Sequence, residues 1–153
     1  MPKLPTLFTI GYEKAKPAAV MAELARAKVR LLVDTRAVAA SRRPGFSKRQ
    51  LAASLEDAGI AYLHLQKLGT PDEGRRAARA GQLDTLWRIY ARHLKTPEAK
   101  EAMDELVALV KAGEPVCLLC YERDPAHCHR SRIAEIVRER TGARVSDLIP
   151  PLF

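Results

Sequence analysis

Apolar residues along this chain fall into short solid runs, separated by stretches that are apolar at every third or fourth position. The runs are Leu7-Phe8-Thr9-Ile10, Leu31-Leu32-Val33, Ile60 to Leu65 and Val116 to Cys120. Runs of this length are expected of strands buried on both faces. Between them, Val20, Leu24 and Ala27 share one helical face after Pro17, a residue suited to a first helical turn. Ser47 with Gln50 predicts a capping-box start to a second helix through Leu51, Leu55 and Ala58, stopped by Gly59. Leu83, Leu86, Trp87, Tyr90 and Leu94 predict a third helix. Thr96-Pro97 opens a fourth, with Met103, Leu106, Leu109 and Val110 inward and Gly113 at its end. Ile133, Ile136 and Val137 mark the last helix, stopped by Gly142, and Val145 to Leu148 predicts a short fifth strand. The polar stretch Gly69 to Gly81, broken by glycine and proline, reads as a loop.

Such alternation predicts the α/β class and one domain over residues 1–153. The expected architecture is a mostly parallel sheet of four to five strands with helices on both faces, a Rossmann-like three-layer sandwich. Right-handed crossovers then bring the strand C-terminal ends to one rim. That rim gathers Gly11-Tyr12-Glu13, Asp34-Thr35-Arg36 with the Ser41 to Phe46 loop, Leu68-Gly69, and the run from Cys120 to Arg132.

Composition narrows the partners. Aromatics make up 5% of the chain, too few for a protein that stacks successive bases along a strand. Lys and Arg outnumber Asp and Glu by 26 to 18, a formal charge of +8, which favours an anionic small molecule or nucleic acid. A merely soluble basic surface is the alternative. The first apolar run is too short for a signal segment or a membrane span, and three cysteines leave one unpaired. The expectation is a cytoplasmic protein with no membrane partner and no structural disulfide. Neither G-x-x-x-x-G-K-[ST] nor G-x-G-x-x-G occurs, and no cofactor is expected.

The run CYERDPAHCHRSR, Cys120 to Arg132, stands at a strand-to-helix junction, where α/β proteins place their chemistry. The first turn of the helix after it offers unpaired N–H groups and a positive dipole end for a phosphate. Arg130 and Ser131 would add donors there, with Arg36 and Arg42 arriving from the neighbouring loop and Tyr12, Ser41 and Glu122 from the rest of the rim. The opposing reading has these arginines pairing with Asp34, Glu13, Glu122 and Asp124 and bracing the rim. Cys128 precedes the helix, where the dipole, His129 and nearby arginines favour its thiolate. Asp34 and Glu122 are each a candidate general base or an anchor for an arginine. Cys128, His129 and Asp34 are thus the candidates for catalysis. A tyrosine-phosphatase loop needs arginine six residues after its cysteine, yet Ala126 and Ala134 stand at those places. Cys120, His127, Cys128 and His129 are potential metal ligands, but no C-x2-C pairing occurs and Cys128 adjoins His129, so no metal is expected. Cys117, Trp87 and Tyr90 read as packing residues.

Thr9-Ile10-Gly11-Tyr12, Val33-Asp34-Thr35-Arg36 with Ser41-Arg42, Leu68-Gly69, and Cys120-Tyr121-Glu122 through Cys128-His129-Arg130 occur in that order. This ordered set resembles domain of unknown function family 488 across nearly the whole chain. The resemblance implies a compact bacterial or archaeal α/β domain with these polar segments close together; it implies no particular reaction. Thr70 departs from the pattern, standing where a second glycine is expected, which bears on a close backbone approach there. The functional expectation is a hydrolase or group-transfer enzyme on a phosphorylated or nucleic-acid-derived substrate. The alternative is a non-catalytic nucleic-acid-binding or regulatory module.

Overall fold

The structure, a computed structural model, describes residues 4–152. Five strands form one sheet: β1 (Thr6–Gly11), β2 (Leu31–Asp34), β3 (Ala61–His64), β4 (Val116–Cys120) and β5 (Arg144–Leu148). Every pairing is parallel, in the order β3-β2-β4-β1-β5. The expected α/β class is observed, with a sheet that is parallel throughout. Every residue of β4 is buried, which explains its unbroken apolar sequence.

Six helices cover the sheet: α1 (Pro17–Arg26), α2 (Lys48–Asp57), α3 (Asp72–Arg79), α4 (Leu83–His93), α5 (Pro97–Lys111) and α6 (His129–Thr141). Strand side chains alternate between two cores. Ile10, Leu32, Cys117 and Leu119 pack with Val20 and Leu24 of α1 and Leu51 and Leu55 of α2. Leu7, Val33, Val116 and Leu118 pack on the other side with Tyr90 of α4, Met103 and Leu106 of α5, and Ile133 and Val137 of α6. The chain thus leaves β1 into a helix on one face and leaves its neighbour β4 into a helix on the other. Such a reversal opens a crevice beyond the strand C-terminal ends, where parallel sheets bind ligands.

Two local expectations are corrected. Gly69 to Gly81 is not all loop, because it contains α3. That helix buries only Gly74 and Ala77, against Leu86 and Ile89 of α4, so no large apolar side chain betrays its period. Asp72 and Glu73 in its first turn and Arg76 and Arg79 in its last suit the helix dipole. Ser47 does stand at the N-cap of α2, but its hydroxyl makes no capping bond. It accepts from the Ser41 N–H at 2.9 Å and donates to the Ser41 carbonyl at 3.1 Å, while Gln50 accepts from the Gly45 N–H. These side chains fold the loop. Among the described residues, no helix is long and apolar enough to cross a membrane.

Candidate functional site

Two glycines let separate segments meet at the rim. A side chain at Gly11, the last residue of β1, would overlap the Glu122 carbonyl, so the loop after β4 crosses directly over the strand end. The Glu13 N–H then donates to the Tyr121 carbonyl at 2.8 Å, and the Arg123 N–H to Glu13 Oε1 at 3.0 Å. Gly69 likewise meets the backbone of Ala37. The close approach at Leu68-Gly69 is therefore to protein.

The crossing loop brings together Cys120 at the end of β4, Cys128 at the N-cap of α6, and His129, the first residue of that helix. His129 Nε2 lies 2.9 Å from the Thr35 carbonyl oxygen, which only accepts, so Nε2 carries the proton. Nδ1 is left beside the two sulfurs, 3.5 Å from Cys120 Sγ and 3.9 Å from Cys128 Sγ. The ring edge meets Tyr90 at 5.5 Å. Tyr90 is itself held by donating to the Leu68 carbonyl at 2.6 Å.

The electrostatics divide the two thiols. Burial pushes the Cys128 thiol up, but hydrogen bonds from Cys120 and His129 and the charges of His129 and Arg130 outweigh it, holding it well below the ordinary value. Cys120 is driven the other way, by burial and then by Cys128. The negative charge of the pair therefore favours Cys128, while the Cys120 thiol donates to Glu122. Burial lowers the His129 imidazolium, yet the Cys128 thiolate more than compensates and leaves it raised. Glu122 is raised by burial and by the same thiolate, and its Oε2 lies 3.2 Å from Cys120 Sγ.

Around this centre lies a cavity of about 240 Å³. Cys120, Glu122 and His129 line it, with Tyr12, Arg36, Tyr121, Val38, Thr70, Leu86, and Arg75, Ala78 and Arg79 of α3. Of the residues expected from sequence, Tyr12, Arg36, Glu122 and His129 line the cavity. Cys128 lies beside them, 1% exposed.

The others are elsewhere. Asp34 follows Leu32 onto the α1/α2 face, away from the thiols. Its carboxylate accepts from Arg36 Nε at 2.9 Å, Arg36 NH2 at 2.7 Å and the Tyr62 hydroxyl at 2.6 Å. Arg36 NH1 donates to the Tyr12 hydroxyl and the Phe46 carbonyl. Arg130 is fully buried and donates to the Glu122 and Arg123 carbonyls at 2.5 and 3.2 Å, and its Nε has no partner among the described residues. It ties the loop shut. The Ser131 hydroxyl donates to the Cys128 carbonyl, Ser41 accepts from the Arg43 N–H, and Arg42 is exposed outside the cavity. Sequence reasoning weighed Cys120 only as a metal ligand or phosphatase-loop cysteine and Thr70 only as a departure from the family pattern, and it did not assign Arg75 and Arg79 to the site. The spacing of the two arginines, four apart, was a usable signal only once α3 was known to be a helix.

Adjacency does not keep Cys128 and His129 apart, and with Cys120 they present three metal-ligand atoms within 4.8 Å. The Cys120 sulfur, however, lies 3.5 Å from Nδ1 and 4.0 Å from Nε2, so it sits beside the ring and off the Nδ1 lone-pair line. To share an ion with it, the ring must turn away from Thr35. The His127 side chain lies outside the described residues.

Fold and site together define an α/β domain with a thiol–imidazole centre at the carboxyl rim of its sheet. The model of the family described as Domain of unknown function DUF488 matches residues 16–137, from the start of α1 into α6. The chain belongs to this family. No curated protein matches it.

Proposed function

We propose that this domain is a hydrolase or group-transfer enzyme acting on a small anionic molecule in the cavity, with Cys120 as nucleophile. The observation that carries the reading is His129, oriented by the Thr35 carbonyl with Nδ1 against two thiols, one of which lines the cavity. A nucleophile, its proton carrier and a third group that orients the carrier are the parts of covalent catalysis. Cys128 holds the negative charge at the helix start and takes the proton of Cys120. The Cys120 thiolate then attacks the electrophilic atom. The leaving group departs with the bonding pair and receives the Nδ1 proton of His129. Water, or another acceptor, gives its proton back to Nδ1 as it displaces the sulfur. Cys128 finally returns the borrowed proton. Three free cysteines suit a reducing cytoplasm.

The test is a turnover screen on small phosphate and carboxylate esters. Cys120→Ser and His129→Ala should each lower turnover about a hundredfold or more, with circular dichroism unchanged. A wild type inert to the whole screen, or full turnover in Cys120→Ser, defeats the reading. The charge of +8 favours a second reading, a nucleic-acid-binding module without catalysis. That module requires oligonucleotide affinity that falls steeply with salt and ignores Cys120→Ser.

A further inference from the structure

Helix α3 aims two guanidinium groups at the cavity. Arg75 and Arg79 are four residues apart, hence on one helix face, and both line it. Arg76, between them, does not line it and pairs with Asp72 at 3.2 Å. Arg75 is anchored, donating to the Thr70 carbonyl at 2.8 Å and to Asp72 Oδ1 at 3.3 Å. Arg79 is exposed, and its guanidinium has no hydrogen bond or ion pair among the described residues. One cation is thus held in place and the other is uncommitted.

Thr70 completes the group. A Cβ on Gly74 would stand 2.7 Å from the Thr70 methyl, so that methyl is packed against the helix and the side chain is held. Thr70 lines the cavity, 7% exposed, and its hydroxyl has no partner among the described residues. The hydroxyl is not among the buried unpaired atoms, so it is open to the cavity, where a ligand oxygen can accept from it. Between this group and the polar lining of Arg36, Glu122 and His129 runs an apolar wall: Val38 and Tyr121 are 55% and 44% exposed, and Leu86 and Ala78 also line the cavity. Tyr12 meets the Tyr121 ring edge-on at 5.4 Å, so this wall has a fixed shape. At about 240 Å³ the space is smaller than the roughly 300–1,000 Å³ of pockets for drug-sized ligands.

We infer that Arg79, Arg75 and the Thr70 hydroxyl bind the phosphate of a small aryl phosphate monoester whose flat body lies against Tyr121 and Val38. The three donors match the three free oxygens of such a group, and arginine forks suit them. This takes the anion site away from Arg36, whose guanidinium is held by Asp34, Tyr12 and Phe46, and from Arg130 and Arg42, which do not line the cavity. It rests on the reading that the cavity is the substrate site.

The experiment is titration calorimetry with phenyl phosphate, inorganic phosphate and phenol as probes, using Cys120→Ser protein so that binding is separated from turnover. Phenyl phosphate should bind one per chain and more tightly than either half. Arg79→Ala should weaken it about tenfold or more, Thr70→Val severalfold, and Arg76→Ala not at all. No binding of phenyl phosphate overturns the inference, as does an equal loss in Arg79→Ala and Arg76→Ala, which signals charge alone. Alkylation of wild-type Cys120 by neutral iodoacetamide is measured in parallel. If that reactivity persists while phenyl phosphate does not bind, the phosphate site fails and the thiol centre stands.

Discussion

His129 reaches across 94 positions of sequence to donate its Nε2 proton to the Thr35 carbonyl, 2.9 Å away. The bond ties the first residue of α6 to the residue that follows β2, and it decides which nitrogen meets the sulfurs. Nitrogen-15 NMR should therefore find neutral His129 as the Nε2–H tautomer. A dominant Nδ1–H form contradicts the assignment.

The thiol centre predicts a bell-shaped pH dependence for turnover. The Cys128 pKa is held down, so its thiolate appears as pH rises through a value below the ordinary thiol range. The His129 pKa is held up, so the imidazolium that protonates the leaving group is lost only above the ordinary histidine range. Turnover should rise through the first and fall through the second. A profile that only rises, through an ordinary thiol pKa, opposes a thiolate held at Cys128.

Much of the fold was legible because buried parallel strands need unbroken apolar runs, and β4 is the plainest case. The helix α3 was hidden because Gly74 and Ala77 are its only buried residues. The run from Cys120 to Arg132 marked the site, since chemistry gathers at strand-to-helix junctions. Roles within the run depended on side-chain direction, which it does not encode. A strand buried on both faces has no polar stripe to tell its faces apart, so nothing in Leu31-Leu32-Val33-Asp34 announced that Asp34 turns from the thiols. Nor did sequence distinguish an arginine aimed at a ligand from one folded inward. Arg130 closes its own loop through the Glu122 and Arg123 carbonyls.

Gly11→Ala should damage the site from outside it. The new methyl has no room beside the Glu122 carbonyl, so the loop over β1 must lift. Overpacking of this kind costs about 1–3 kcal/mol, to be read from urea unfolding. Cys120 reactivity should fall with it. Unchanged stability together with unchanged reactivity shows that the loop has slack.

Asp34 tests stability against chemistry. Its pair with Arg36 is buried, the two side chains being 0% and 6% exposed. Removing one partner of such a pair costs about 3–5 kcal/mol, and Asp34→Ala should lose that much in urea unfolding. Asp34 does not line the cavity and turns from the thiols, so the folded fraction should keep its Cys120 reactivity. Intact stability with abolished reactivity instead makes Asp34 a catalytic group.

The central claim is that His129 and the helix start activate the Cys120–Cys128 pair. It is tested most directly by alkylation with iodoacetamide at a pH below the ordinary thiol range, each cysteine followed by peptide mass spectrometry. The account predicts that Cys120 is modified first, that Cys117, buried in the core, stays unmodified, and that His129→Ala slows Cys120 about tenfold or more. Equal rates in wild type and His129→Ala, or modification of Cys117 as fast as Cys120, would contradict it.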